Sequence, residues 1–389
     1  MVTFIFNTLP AWIAHLVSGL GVQLTMDQRD MVASERPTAG GLVTTSAGDG
    51  CDQPLKKIFI PDLLARWPFP RRLNQHYSNF KAFSPKAQQA FNRCNLGKTW
   101  LIITLLMCSR LSLGLLGCLA YPIASEEHVR SACDYMNLAI VIDEYSDVSE
   151  EGDVRKQKDV IMDALRHPHK PRPKGEWVGG EIARQFWERI IRDGANSQSQ
   201  KRFIAIFDEY LEGVVQQAID RSGHHIRDIQ SYFDLRHEVI SHSTIEDVVA
   251  VSLDMMTLSN DILSYDLEQA RGDDDHNIVK IVMHEFDTDV NGAMLWVADH
   301  HTKLEKKYFK AVAAIPKWGE PIDSQVREYC DGLGNWVRAG CDWSFESERY
   351  FGTNGMEVQQ KKWILPMPKD YLKGCEEIGP VLVGVTHIE

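Results

Sequence analysis

Two carboxylates four residues apart, Asp143 and Asp147, sit in the segment VIDEYSDVSEEGD, where an apolar run ends in a burst of acid. In a helix that spacing puts both on one face, and side by side they repel unless a cation lies between them. Hard oxygen ligands with room for water and phosphate suit Mg2+, which takes one or two protein carboxylates and completes its shell from substrate. A solvated acidic helix end is the plain alternative. Negative charge at a helix C-terminus opposes the helix dipole, however, and this favours a bound cation. A second set, Asn260, Ser264 and Glu268 in LSNDILSYDLEQARGDDDHNIV, falls at i, i+4 and i+8. At 3.6 residues per turn these form one polar stripe on a helix whose other positions include Ile262, Leu263 and Leu267. Amide, hydroxyl and carboxylate oxygens together make a low-charge site for a further Mg2+. A polar face turned to water would explain the stripe, but not its coincidence with the acidic pair.

Both sets need helices to carry them, and helical periodicity dominates the chain. Glu126 to Val148 holds the first set, with Val129, Cys133, Met136 and Ile140 stepping along one face. Ile245 to Ala270 holds the second. Trp177 to Arg192, Gln200 to Asp220, Val290 to Ala314 and Ile322 to Val337 show the same period. No stretch alternates as a strand between hairpin turns, and there is no internal repeat. The prediction is an all-α fold with many helices around one core. Ahead of it, IPDLLARWPFPRRLN, with prolines at 61, 68 and 70, reads as an extended lead-in that packs apolar residues onto the body. Residues 1–57 differ in kind: an apolar start is followed by RPTAGGLVTTSAGDG, whose Gly, Thr and Ser favour a flexible linker.

The composition narrows the function. With 44% hydrophobic and 25% charged residues over 389 positions, the chain can bury a substantial core. A net charge of −12 argues against nucleic acid as partner, because phosphate backbones need a basic footprint. An acidic protein still binds a diphosphate when metal ions supply the local positive charge. Eight cysteines without a CxxC pair fit a reducing compartment, and a cytoplasmic location is expected. Two apolar stretches bear on membranes. Met1 to Leu24 lacks a basic n-region, and Trp100 to Ala120 carries Arg110 near its centre, so no membrane span is expected.

Several motifs, in order, carry a family resemblance. Asp143-Glu144-Tyr145-Ser146-Asp147 matches D-[DE]-x-x-D, Asn260 to Glu268 matches N-D-x-x-S-x-x-x-E, and GDDDHN (Gly272 to Asn277) follows. Near the end, WSFESERYFG supplies an Arg-Tyr pair as Arg349 and Tyr350. Together with WPFPRRLN, these make the chain resemble the fungal, basidiomycete-type class I sesquiterpene synthases over residues 58 to about 368. The resemblance implies a class I terpenoid synthase helical bundle around a central active-site cavity, spanning 58–375 with a tail at 376–389. It implies farnesyl diphosphate as substrate, three Mg2+ ions (or Mn2+), and Asp143, Asp147, Asn260, Ser264 and Glu268 as metal ligands. Arg349 and Tyr350 would grip the diphosphate, the former through its planar fork rather than pairing locally with Glu346 or Glu348. Loss of diphosphate would leave an allylic cation folded in an apolar pocket. The wording around EQARGDD and HNIV points to 1,11-closure and a humulyl, protoilludene-like skeleton. A monomer or homodimer is expected.

The family pattern is also broken in places. SYFDLR (Ser231 to Arg236) resembles the start of the diphosphate-sensing segment, which makes Arg236 the candidate sensor and substrate-binding residue, with a plain surface arginine as the alternative. It runs at once into HEVISHSTIEDV without the expected Gly turn, a deletion near 236. An apolar insertion at about 96–114 separates FNRC from CLAYP, segments that adjoin in the family, and NQHYSNFKAFSPKAQ is shortened. These breaks predict imperfect splicing and leave an inactive helical family member as one alternative. A prenyl diphosphate synthase is the other; it shares fold and metals but uses two Asp-rich motifs, which Asn260/Ser264/Glu268 argues against. Leu138, Ala139 and Ile142 replace the aromatics common in relatives and are expected in the core.

Overall fold

The computed structural model describes residues 57–80, 111–223, 226–237 and 244–372, with the side chains of 234–237 and 244 left out. The N-terminal segment, the first part of the apolar insertion, the junction just after Arg236 and the tail therefore lie outside the described residues.

Twelve α-helices occur among the described residues. They are α1 Tyr77–Phe80, α2 Leu113–Ala120, α3 Glu126–Asp147, α4 Glu151–Arg166, α5 Gly179–Arg192, α6 Ser197–Ser222, α7 Ile229–His237, α8 Thr244–Arg271, α9 Ile278–Phe286, α10 Val290–Ala314, α11 Ile322–Glu346 and α12 Gly355–Lys361. Local chemistry fixes several starts. Ser125 caps α3 by accepting from the His128 amide, and Asn196 caps α6 by accepting from Gln198 and Ser199. Asp289 caps α10 and Asn277 caps α9 in the same way.

The helix α8 forms the centre. It packs on α10 and α11, while α3 packs on α2 and α5, and α4 on α5 and α6. Val248, Val251, Met255, Leu258 and Ile262 of α8 are all buried, and so are Ser252, Ser259, Asn260 and Ser264. A helix buried on every side must satisfy its polar groups internally. Ser252 and Ser259 do so by donating to the carbonyls of Val248 and Met255, one turn back.

The Pro-rich lead-in does pack its apolar residues inward, burying Ile60, Leu63, Leu64 and Trp67. Trp67 Nε1 donates to the Gly334 carbonyl at 3.0 Å, and Arg338 donates to the Phe69 carbonyl at 2.9 Å, which straps the segment across α11. A side chain at Gly334 would meet the Phe69 ring, so the close approach requires glycine. Ile58–Phe59 pairs antiparallel with Trp363–Ile364, a two-stranded clip that the sequence did not announce.

Several helices exceed the sequence reading, α4, α9 and α11 among them. The acidic segment after Asp147 forms α4, whose buried Val154, Ile161, Met162 and Leu165 recur at helical spacing. The helix predicted to end near Val337 continues to Glu346. The C-terminal half of the apolar Trp100 to Ala120 stretch is the buried helix α2, tied down by Trp343 Nε1 donating to the Leu111 carbonyl. No described helix is long and apolar enough to cross a membrane. Cys118, Cys133, Cys330 and Cys341 are free thiols.

Candidate active site

Four parts of the chain meet around one cleft of about 810 Å3, part of it open to solvent. The last turns of α3 bring Asp143 and Asp147, and the end of α8 brings Ser264, Glu268 and Arg271. The turn that follows adds Asp273 and His276, α6 adds Gln217 and Arg221, and the segment after α11 adds Arg349 and Tyr350. The two sequence-assigned metal faces therefore share a single cleft with the Arg-Tyr pair. Asn260 lies one turn deeper, 5% exposed, and its Nδ2 donates to Tyr350 Oη at 2.7 Å. That bond leaves the tyrosine hydrogen available to the cleft. Leu138, Ala139 and Ile142 are buried in the main core, as expected. Arg236 falls on α7, and its side chain lies outside the described residues.

Arg349 makes no pair with Glu346 or Glu348. Its Nη2 lies 3.1 Å from Asp143 Oδ2 and its Nη1 3.0 Å from Glu144 Oε1, across more than two hundred residues of sequence. Glu346 is instead held through both oxygens by Arg71. Burial works against the Arg349 charge, but Tyr350, Glu144 and Asp143 together hold its pKa above the ordinary value. The carboxyls respond the other way. Burial raises the pKa of Asp143 against the pull of Arg349, and raises that of Asp147 well above the usual range, with Asp143 adding to the shift. Asp273 is pushed up to about 7 by burial and by the nearby Glu268. Burial also lifts Tyr350 to about 12. The cleft holds more negative charge than its guanidinium groups neutralise, which is the electrostatic condition for taking up cations.

The donor set fits a divalent metal. Ser264 Oγ, Asp147 Oδ1 and Asp273 Oδ1 are buried without a hydrogen-bond partner, and all three residues line the cleft. Buried polar atoms of this kind call for a ligand. No group of three or more His, Cys, Asp or Glu side chains sits close enough to hold an ion alone among the described residues. A shell shared between few protein oxygens, water and substrate phosphate is the arrangement Mg2+ favours.

A second layer orients the α8 face. Asn277 Nδ2 donates to Glu268 Oε2 at 2.9 Å and to the Asp261 carbonyl at 2.8 Å, while its Oδ1 accepts from the Val279 amide. Asp261 Oδ2 accepts from Tyr232 Oη at 2.7 Å and from the Ile278 amide at 2.8 Å, which joins α7 and α9 to α8. Such outer contacts fix the direction of a metal ligand. Sequence reasoning missed Gln217, Arg221 and Arg271. No motif marks the first two, because they reach the cleft from a helix whose periodicity shows only that it is a helix.

Comparison with known proteins bears on the family and the fold. A family model described as "Terpene synthase family 2, C-terminal metal binding" matches residues 134–241 and 233–307. A Delta(6)-protoilludene synthase of Stereum hirsutum is 51% identical over 360 residues, covering 84% of this chain and 92% of the relative. A Delta(6)-protoilludene synthase of Armillaria gallica is 48% identical over 364 residues, covering 86% and 99%. Among solved structures, a variant of cucumene synthase superposes with a TM-score of 0.61 at 15% identity, covering 72% of this chain and 99% of its own. Linalool/nerolidol synthase from Streptomyces clavuligerus, bound to 2-fluorogeranyl diphosphate, gives 0.57 at 17% identity, covering 72% and 97%. At such identities the structures speak for the fold alone, which is the all-α bundle the sequence predicts. By its close relatives, the chain belongs to the terpene synthase family, in the branch that holds these fungal sesquiterpene synthases.

Proposed function

We propose that this protein is a Mg2+-dependent sesquiterpene cyclase that ionises farnesyl diphosphate, releases inorganic diphosphate and closes the cation by 1,11-attack toward a Δ6-protoilludene-type hydrocarbon. The observation that carries the reading is the meeting of two oxygen-donor faces, on α3 and α8, in one cleft with Arg349 and Tyr350. The names of the relatives support the substrate class and product type, and lend nothing to chain elongation or to loss of activity.

Three Mg2+ ions held by Asp143, Asp147, Asn260, Ser264 and Glu268 would supply the Lewis-acid charge for the departing diphosphate. Arg349 donates through its fork to the oxygens on which charge develops, and Tyr350, held by Asn260, donates its O–H beside it. The family resemblance gives Arg236, on α7, the role of diphosphate sensor. No covalent nucleophile takes part. The low exposure of Asp143 and Arg349 strengthens their charge contacts.

Incubating pure protein with farnesyl diphosphate and Mg2+, followed by gas chromatography of volatiles, tests the reading. A tricyclic C15 hydrocarbon is expected, whereas longer prenyl diphosphates or no product would overturn it. Asp143→Asn and Glu268→Gln are each expected to lower turnover by about a hundredfold or more through lost charge stabilisation. Near-normal turnover in either variant refutes the site assignment.

A further inference from the structure

Arg221 stands in the last turn of α6 and lines the cleft with Arg349, and the motifs give it no role. Its Nη2 donates to the Ser146 carbonyl at 2.6 Å, and its Nη1 lies 3.6 Å from Asp147 Oδ1. The Ser146 carbonyl belongs to the C-terminal end of α3, where free carbonyls and the negative end of the dipole attract a cation. This answers how an acidic helix end persists: a guanidinium from another helix holds it. Arg221 is not sealed in, since its side chain is 25% exposed and lines the cleft. One turn earlier on α6, Gln217 is 2% exposed, lines the same cleft, and its Oε1 has no hydrogen-bond partner. The α6 wall thus presents both a donor and an unanswered acceptor to the space between the metal faces.

Both arginines sit against the first motif: Arg349 hydrogen-bonds Asp143 and Glu144, while Arg221 bonds the Ser146 carbonyl and lies in ion-pair range of Asp147 at 3.6 Å, without a hydrogen bond to it. A divalent ion bound by these aspartates would take the carboxylate oxygens and leave both guanidinium groups to pair with an anion, for which a diphosphate is the fitting chemistry. We propose that Arg221 is a second diphosphate-binding arginine, held on Asp147 and the Ser146 carbonyl until metal and substrate arrive. This rests on the metal and diphosphate reading of the cleft. The competing account is a clamp on the end of α3 with no contact to ligand.

Two probes separate the accounts: Mn2+ alone, followed by electron paramagnetic resonance, and inorganic diphosphate at saturating Mg2+, followed by calorimetry. Arg221→Met should bind Mn2+ alone at least as tightly as wild type, because a positive charge beside Asp147 is gone. Its affinity for inorganic diphosphate should fall by about ten- to a hundredfold, the range of charge-assisted hydrogen bonds. Arg221→Lys, which keeps the charge without the fork, should recover part of that loss. Unchanged diphosphate affinity in Arg221→Met overturns the proposal. So does a parallel weakening of Mn2+ and diphosphate, which is what a lost clamp produces. Wild-type protein that binds neither probe removes the cleft reading and the proposal with it, and that result shows before any substitution is made.

Discussion

Replacing Arg349 by Met keeps side-chain length while removing the charge and its donors. In the structure the guanidinium is 9% exposed and contacts Asp143 at 3.1 Å and Glu144 at 3.0 Å. Removing one partner of a buried ion pair costs about 3–5 kcal/mol, because the other charge remains uncompensated. Asp143 sets an upper limit on this cost, since it can escape by taking a proton. pH 7 lies about three units above the ordinary carboxyl pKa near 3.9, and protonation costs about 1.36 kcal/mol per unit, so the limit is roughly 4 kcal/mol. Metal-free Arg349→Met is therefore expected to lose about 3–4 kcal/mol of unfolding free energy at pH 7. The sign of the pH dependence follows. Burial already raises the Asp143 pKa, and loss of Arg349 raises it further, so lowering the pH relieves the variant more than the wild type. At pH 6 the limit shrinks to roughly 3 kcal/mol. Urea unfolding in EDTA at both pH values measures this, and added Mn2+ should restore part of the loss by replacing the missing charge. A loss below about 1 kcal/mol, or one indifferent to both pH and metal, would refute Arg349 as the counter-charge of the first motif.

Other substitutions reach different layers. Asn277→Ala removes the α9 cap and the bond to Glu268, and should cost about 2 kcal/mol in chemical denaturation while raising the Mg2+ needed for half-maximal turnover about tenfold or more. An unchanged Mg2+ requirement would leave Asn277 as a cap only. His301 is buried, with neither ring nitrogen partnered, and burial lowers its pKa to about 3. Below about pH 6.5 the unfolded chain takes up a proton that the folded chain refuses, so stability should fall by about 1.4 kcal/mol per pH unit between 6.5 and 3. His301→Leu should remove that share of the acid slope in unfolding measured from pH 7 to 5, and an unaltered slope would contradict it.

The parts of the site that were legible are those where a motif and a helical period coincide. Asp143/Asp147 and Asn260/Ser264/Glu268 carry their own geometry, because spacing on a helix fixes which way side chains face. The Pro-rich lead-in was legible for a similar reason, as its apolar residues had no other place to go. The helix α4 was hidden by its charge: EEGDVRKQKD looks like a loop until the buried apolar positions beyond Asp153, from Val154 to Leu165, are placed on a helix. Partner choice was hidden more deeply. Glu346 and Glu348 were the charges nearest Arg349 along the chain, yet the fold gives Glu346 to Arg71 and sends Arg349 to α3. Local spacing cannot rank partners that only packing brings together.

The same reasoning explains why Gln217 and Arg221 were invisible and why they matter to how the cleft works. The sequence shows acidic groups, but not how far they are compensated. Packing holds Asp143 and Asp147 in a site where burial raises both carboxyls, with one guanidinium at each. On the proposed reading, a carboxylate held this way would be ready for a cation without being left bare, and an arginine displaced by metal would be free to meet the diphosphate. Cation uptake and diphosphate grip would then be linked through the same side chains. Metal ions would supply most of the positive charge that a diphosphate needs, and the two arginines lining the cleft would add directional donors to it, which is the physical reason to expect Arg221 to take part in binding rather than only to brace a helix end.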